Sequence, residues 1–261
     1  MHYFFKESAI LEAEREITLE AEDVNHAYRV LRLRKGAAVV VADGRGAAYH
    51  GIIVSITPGE VVVWLVEPAQ NSEPALKVTL LQSLAKGEKM DLVIRQAVEL
   101  GVSRIIPVLT ERSIPRLTGS REAARLLRWQ KIARSAAAQC RRAFLPPVEP
   151  ICDLDKVLKE IPGRLALIPW EHEHERGLAD LLWQIKPGNN EVLLFTGPEG
   201  GFSSAEIEAL CAAGAKTVHL GPRILRAETA AIAALTMVQS AWGDVGTGPL
   251  SRYNLRDANR K

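Results

Sequence analysis

Phe195-Thr196-Gly197-Pro198-Glu199-Gly200-Gly201-Phe202-Ser203 and, further along, Leu220-Gly221-Pro222-Arg223-Ile224-Leu225-Arg226-Ala227-Glu228-Thr229 share one layout. Each follows a short apolar run of strand length, Val192 to Thr196 and Thr217 to Leu220. Each leads into a helical pattern. Ser203 and Glu206 have the spacing of a capping box, in which the hydroxyl and the carboxylate reciprocally satisfy backbone N–H groups. The helix they start is predicted to run to Ala213, with Gly214 behind it as a stop. A final helix is predicted from Glu228 to Trp242, apolar on nearly every side and therefore buried. Strand, glycine loop and helix, twice in succession, is the grammar of an α/β fold. In open α/β sheets ligands sit at the carboxyl ends of the strands, where these loops lie.

The alternation extends back to Lys77. Strands are predicted at Val78 to Leu81, Arg104 to Leu109 and Leu165 to Ile168, and helices at Glu88 to Leu100, Ser120 to Ala138 and Leu178 to Ile185. Such alternation implies a mostly parallel sheet covered by helices. Upstream, Glu67 to Pro74 carries two prolines and no periodic pattern, and reads as a linker. The first third is rich in Val and Ile over Ala37 to Ala42, Ala47 to Ile56 and Val61 to Val66. Asp43-Gly44-Arg45-Gly46 and Thr57-Pro58-Gly59-Glu60 separate these runs as hairpin turns. One helix, Glu22 to Leu33, precedes them, with Val24, Ala27, Tyr28 and Leu31 at helical spacing. A small barrel is expected there. The resulting division is a β domain over 1–70, an α/β domain over 74–245 and a polar tail over 246–261.

The chain has 261 residues, is 47% hydrophobic and carries a formal net charge of +2. It can bury a substantial core, and its total charge does not demand a polyanionic partner. Cys140, Cys152 and Cys211 are odd in number and in no CxxC spacing, which argues against a disulfide framework or a zinc knuckle. Glu171-His172-Glu173-His174-Glu175 offers two histidines but no third ligand, so it reads as a solvated loop and no metal is expected. The first residues show no signal-peptide pattern, and charges interrupt every candidate membrane span. A cytoplasmic protein without a membrane partner is expected.

Glycines let backbone amides and carbonyls approach a ligand closely. Either loop alone is also compatible with a plain tight turn; the pair, each carrying charged residues beside apolar strands, favours a ligand site. Neither is a P-loop, since no Gly-Lys-Ser/Thr follows, and neither is a GxGxxG fingerprint. ATPases and dinucleotide dehydrogenases are disfavoured.

Together with Leu84-Ala85-Lys86-Gly87-Glu88-Lys89-Met90-Asp91, Ala97 to Val102, Thr110-Glu111-Arg112-Ser113 and His26 to Gly36, the two loops closely resemble the ribosomal RNA small subunit methyltransferase E family. These are 16S rRNA uridine-N3 methyltransferases of the SPOUT superfamily. The resemblance covers nearly the whole chain. One departure is Gln139-Cys140-Arg141-Arg142, where a small residue is expected near Arg141. The resemblance implies a C-terminal α/β domain with a deep trefoil knot, a PUA-like RNA-binding barrel before it, a homodimer, and S-adenosylmethionine held by the loops. Thr196, Gly197, Pro198, Glu199, Gly200, Gly201, Leu220, Gly221, Ile224 and Leu225 are then the expected cofactor residues. The implied partner is 16S rRNA in the small ribosomal subunit.

N3 of uracil is protonated at neutral pH, so methyl transfer requires that this proton be removed and the resulting charge held on the carbonyl oxygens. A cation aimed at that charge is the largest single help. Arg226 or Arg223 supplies it, and Glu199 or Glu228 is the candidate base. Glu228 at a helix start also has an ordinary structural use through the helix dipole, and proximity alone is a third possibility. For RNA, Arg112, Arg116, Arg121, Arg125, Arg128, Lys131, Arg134, Arg141 and Arg142 fall within about one helix and its flanks, and Lys86 and Lys89 are further candidates. Arg29, Arg32, Arg34 and Lys35 form a second cluster in the first domain. Basic stripes of this kind follow phosphate backbones. Two other functions remain in competition: a ribose 2′-O methyltransferase of the same fold, and a ribosome-assembly protein that binds RNA without catalysis.

Overall fold

The structure is a computed structural model that describes residues 1–70, 73–113 and 119–246. From residue 247 onward the expected tail lies outside the described residues. The chain divides into two compact units. Met1–Glu73 and Ala137–Leu145 belong to one, and Pro74–Ala136 and Pro146–Thr247 to the other.

The first unit contains a five-stranded sheet in the order β1 (His2–Phe5), β3 (Ala38–Ala42), β4 (Ala48–Ile56), β5 (Val61–Pro68) and β2 (Glu16–Thr18). β1 pairs parallel with β3, and the other pairings are antiparallel. The turns form for local reasons. Asp43 Oδ1 accepts the N–H groups of Arg45 (2.8 Å) and Ala47 (2.9 Å), and Thr57 Oγ1 accepts that of Glu60 (3.1 Å). Alternating residues Val39, Val41, Ile53, Val63 and Leu65 point into one core with Phe4, Leu19, Val24 and Ala27. The helix expected over Glu22 to Leu33 is broken. α1 spans only Ala21–Asn25 and continues as a π-turn over His26–Val30. The wider turn shifts the phase of the apolar face. Val24 and Ala27 stay buried, but Tyr28 is exposed, and Arg32 leaves the turn in the left-handed region at φ 51°.

Arg142 requires a correction. Expected at the RNA surface, it is buried within the first unit, where Nη2 meets Glu73 Oε2 at 2.7 Å and Nε lies 3.1 Å from the same oxygen. Glu73 also accepts the Phe144 N–H at 3.1 Å. The pair ties residues 137–145 to the end of the first segment of the unit.

The second unit is built on six parallel strands in the order β11 (Lys216–Val218), β9 (Leu165–Pro169), β10 (Glu191–Thr196), β6 (Lys77–Ser83), β7 (Arg104–Leu109) and β8 (Cys152–Asp153). Its helices are α2 (Lys89–Glu99), α3 (Ser120–Cys140), α4 (Leu154–Leu158), α5 (Leu178–Gln184), α6 (Ser204–Ala212) and α7 (Ala227–Trp242). α3 carries the chain on into residues 137–140 of the first unit. Gly101, at φ +83°, ends α2 as expected, and its carbonyl accepts the buried Gln239 amide of α7 at 3.1 Å. α7 packs on α2, α5 and β10. No described helix is long and apolar enough to cross a membrane.

Replacing one partner of a buried ion pair strands the other charge. Arg142→Met is expected to lower the unfolding free energy by about 3 kcal/mol, read by urea denaturation. A change below about 0.5 kcal/mol would show that the pair behaves like a surface one.

Candidate functional site

Because all strands of the second unit run parallel, the loops that follow them leave from one edge. Strand order reverses between β6 and β10, so the first strand of the sheet in sequence sits beside the fifth. At the carboxyl ends of these two strands, Thr196 Oγ1 donates to Gln82 Oε1 at 2.7 Å, and Gln82 Nε2 donates to the Ser83 carbonyl at 3.0 Å. All three residues are buried. This polar floor fixes where the loop after β10 begins.

The loop is held at several points. Phe202 enters the core, and Ser203 with Glu206 forms the expected capping box of α6. Glu206 does more than cap: its Oε1 accepts the Glu111 N–H at 2.8 Å and so anchors the segment after β7. That segment is closed by Thr110 and Ser113, whose hydroxyls lie 2.8 Å apart. Arg112, expected at the RNA surface, donates from Nη1 to the Gly200 carbonyl at 2.8 Å. Gly201 donates its N–H to the Pro198 carbonyl at 2.9 Å at φ +68°. A Cβ at Gly201 would collide with the Glu171 carboxylate.

Glu199 is the charged centre of the loop. Its Oε1 accepts the Lys86 N–H at 3.1 Å and meets Lys89 Nζ at 3.0 Å. The same ammonium lies 3.5 Å from Glu228 Oε2 in the first turn of α7. That oxygen is buried without a hydrogen bond. Burial pushes the Glu199 carboxyl up most strongly, but hydrogen bonds from its own backbone N–H, Lys89 and the Lys86 N–H together hold it below the usual carboxylate range. The hydrogen bond to Glu199 likewise raises Lys89, against the opposing effect of its burial. Of the two lysines expected at the RNA surface, Lys89 turns its ammonium to Glu199, whereas Lys86 meets Glu199 only through its backbone N–H and its side chain is exposed.

The loop after β11 is more open. Gly221, at φ +112°, donates its N–H to His219 Nδ1 at 3.2 Å. Pro222, Arg223 and Ile224 are exposed, Ile224 to 90%. Leu225 is half-buried. Arg226 occupies the N-cap position of α7, exposed and without an ion-pair partner among the described residues.

Sequence reasoning missed the loop after β9. Glu171, His172, His174 and Glu175 are exposed, as expected of a solvated loop, but the stretch is also tied to the sheet. The Trp170 N–H donates to the Val218 carbonyl at 2.9 Å, and the Trp170 indole packs edge-on to His172. Glu173 accepts the Thr217 hydroxyl at 2.6 Å and the N–H groups of Glu175 and Arg176. Foremost through the Thr217 hydrogen bond, its carboxyl is pushed down to about 2. Trp170 Nε1 is buried without a partner. The available signal was the position of this stretch directly after a strand of the sheet. Among the described residues, no group of three potential ligands is placed to hold a metal.

The basic residues separate; Arg116 lies outside the described residues. On α3, Arg121 is exposed and Arg125 half-buried, whereas Arg128 of the same predicted face is ion-paired to Asp91. Arg29, Arg32, Arg34, Lys35 and Arg141 are exposed on the first unit.

A family model of the RNA methyltransferase domain matches residues 71–239, and one of the RNA methyltransferase PUA domain matches residues 19–64. The ribosomal RNA small subunit methyltransferase E of Synechocystis sp. is 34% identical over 87% of this chain and 74% of its own length. This chain belongs to the ribosomal RNA small subunit methyltransferase E family. A crystal structure of the family's protein from Neisseria gonorrhoeae, bound to S-adenosyl methionine, matches with a TM-score of 0.85 and 35% identity over 94% of this chain and 99% of that one. The Legionella pneumophila methyltransferase Lpg2936, in complex with the same cofactor, matches with a TM-score of 0.84 and 31% identity over 93% and 98%. The family's architecture, an α/β methyltransferase domain with a PUA-like domain before it, is that of this chain.

At Gly201, Ala meets both the left-handed backbone and the Glu171 carboxylate. Gly201→Ala is expected to cost about 1–2 kcal/mol in thermal unfolding, and Glu171→Ala in the same chain to restore part of it. Effects that add within about 0.3 kcal/mol would show that Glu171 does not oppose the new methyl group.

Proposed function

We propose that this chain is an S-adenosylmethionine-dependent methyltransferase that modifies N3 of one uridine in the 16S rRNA of the small ribosomal subunit. The carrying observation is the acidic edge where the loops after β6, β10 and β11 meet: two carboxylates share one ammonium, and Glu228 keeps a buried oxygen without a donor. Such a site lacks positive charge, and it fits a sulfonium cation with an α-ammonium group. When bound, the cofactor supplies an electrophilic methyl group.

Thr196, Gly197, Pro198, Gly200 and Gly201 hold it from one side, and Leu220, Gly221, Ile224 and Leu225 from the other, largely through backbone groups that glycines leave approachable. Arg226, exposed at the start of α7, faces the uracil and holds the charge that develops on its carbonyl oxygens. Glu199 is engaged by Lys89 and held below the usual carboxylate range, which makes it a weak base at neutral pH. Glu228 meets the same ammonium only at 3.5 Å and without a hydrogen bond, which leaves it the less engaged of the two carboxylates and the candidate acceptor for the N3 proton.

Several finer features belong to the same proposal. The α/β domain over 74–245 is knotted. In support, β10 inserts between β6 and β9, and α7 then returns to lock on α2 through Gln239. The first domain, over 1–70, closes as a PUA-like barrel. The enzyme works as a homodimer in the cytoplasm, in keeping with its three free cysteines. Arg29, Arg32, Arg34 and Lys35 on the first unit, with Arg121, Arg125 and Arg141, follow the RNA backbone.

Mass mapping of 16S rRNA from a strain lacking the protein is expected to show loss of one N3-methyluridine, restored by the wild-type gene but not by Arg226→Ala, whose cofactor Kd stays within a few-fold. Loss of a ribose methyl instead overturns the base assignment, and an unchanged profile overturns catalysis on this RNA. Arg121→Ala with Arg125→Ala is expected to weaken RNA binding and to flatten the plot of log K against log salt by about 1–2. An unchanged slope removes α3 from the RNA surface.

A further inference from the structure

The sequence places Lys89 among the candidate RNA-binding cations, but its surroundings argue for a different task. It stands in the first turn of α2, beyond the carboxyl end of β6. Its Nζ lies 3.0 Å from Glu199 Oε1, in the loop after β10, and 3.5 Å from Glu228 Oε2, in the first turn of α7. One ammonium therefore joins three segments that leave the sheet separately. Its side chain is only one-third exposed, and Glu228 is less exposed still, at 14%. The Lys86 N–H binds the same Glu199 oxygen, so the start of α2 grips this carboxylate twice.

We infer that Lys89 is a positioning residue: it assembles the loop after β10 and the start of α7 into one preformed cofactor cradle, acting through Glu199 and Glu228. The inference rests on the placement of S-adenosylmethionine between these loops. Two carboxylates within reach of one nitrogen repel each other once that nitrogen is gone, and one of them then takes up a proton more readily. The loop loses one of its two ties to the start of α2, while the Lys86 N–H bond and the Thr196–Gln82 floor beneath it remain. Cofactor binding should weaken, and it should also become linked to protonation. A lysine that merely contacts phosphate has neither consequence, because its loss lowers RNA affinity and the salt slope by about one counterion.

The experiment is calorimetric titration of S-adenosylmethionine into full-length wild type, Lys89→Met and Lys89→Arg, without RNA, at several pH values between about 5 and 8. Lys89→Met keeps the aliphatic stem and removes the charge, and thermal unfolding checks that each variant is folded. The expected result for Lys89→Met is a Kd raised by about fivefold that changes with pH, alongside a flat wild-type profile, with substantial recovery in Lys89→Arg. RNA affinity and its salt slope, measured on the same proteins, should not move. If Lys89→Met binds the cofactor within twofold of wild type at every pH, or if its RNA salt slope falls by about one, the inference is overturned. If Lys89→Met does not fold, the Lys89→Arg profile decides: a pH-flat Kd near that of wild type supports the clamp, and a loss of about fivefold overturns rescue by charge. Wild type that fails to bind S-adenosylmethionine would count against the cofactor placement itself, a different failure.

Discussion

β10 is hydrogen-bonded on both sides, to β6 and to β9, and its residues Val192 to Thr196 are all buried. A strand enclosed in this way has no freedom in where it ends. Both neighbours run parallel to it, so the glycine loop that follows must emerge beside the start of α2 on one flank and the loop after β9 on the other. Polar groups at the end of a buried strand must also find partners, and Thr196 finds the side chain of Gln82. Arg112 on Gly200, Lys86 and Lys89 on Glu199, and Glu171 against Gly201 all follow from that placement.

The two edges of the sheet handle charge differently. At the amino edge, Arg104 opens β7 and bonds Glu149 at 2.5 Å and Glu160 at 2.7 Å, while Glu160 also meets Arg164 at 3.2 Å. Acids and bases there largely satisfy one another, as expected of a region whose task is stability. At the carboxyl edge two carboxylates have one lysine between them, and the nearby Arg226 points to solvent. A surplus of unpaired charge is costly to fold, and its persistence at one edge marks the part of the molecule shaped for a ligand.

The regular parts of the second unit were legible in the sequence. The capping box of α6, the Gly101 stop of α2 and the strands ending at Leu109 and Thr196 all form where their local chemistry directs. Short elements were not. β1, β2, β8 and α4 have only two to five residues each and no periodicity long enough to detect. β1 exists because β3 accepts it as a parallel neighbour. The break after α1 leaves no mark in the sequence, because a π-turn keeps helical composition while shifting which residues face the core.

The residues around the site divide the same way. Glycines, prolines and charges in the two long loops point to a ligand site by composition and position alone, since close backbone approach is what such residues at strand ends permit. Which charges meet was settled by folding. Lys89 and Glu228, separated along the chain by most of the domain, touch because β6 and β10 became neighbours and α7 returned to α2. Arg142 turned inward and Arg128 took Asp91 for the same kind of reason, a partner brought close by tertiary contact. Local elements, the nature of the loops and, through its motifs, the family are written in the chain. The pairing of charges came only with folding, because a side chain's electrostatic partners are set by distance in space and not by distance along the chain.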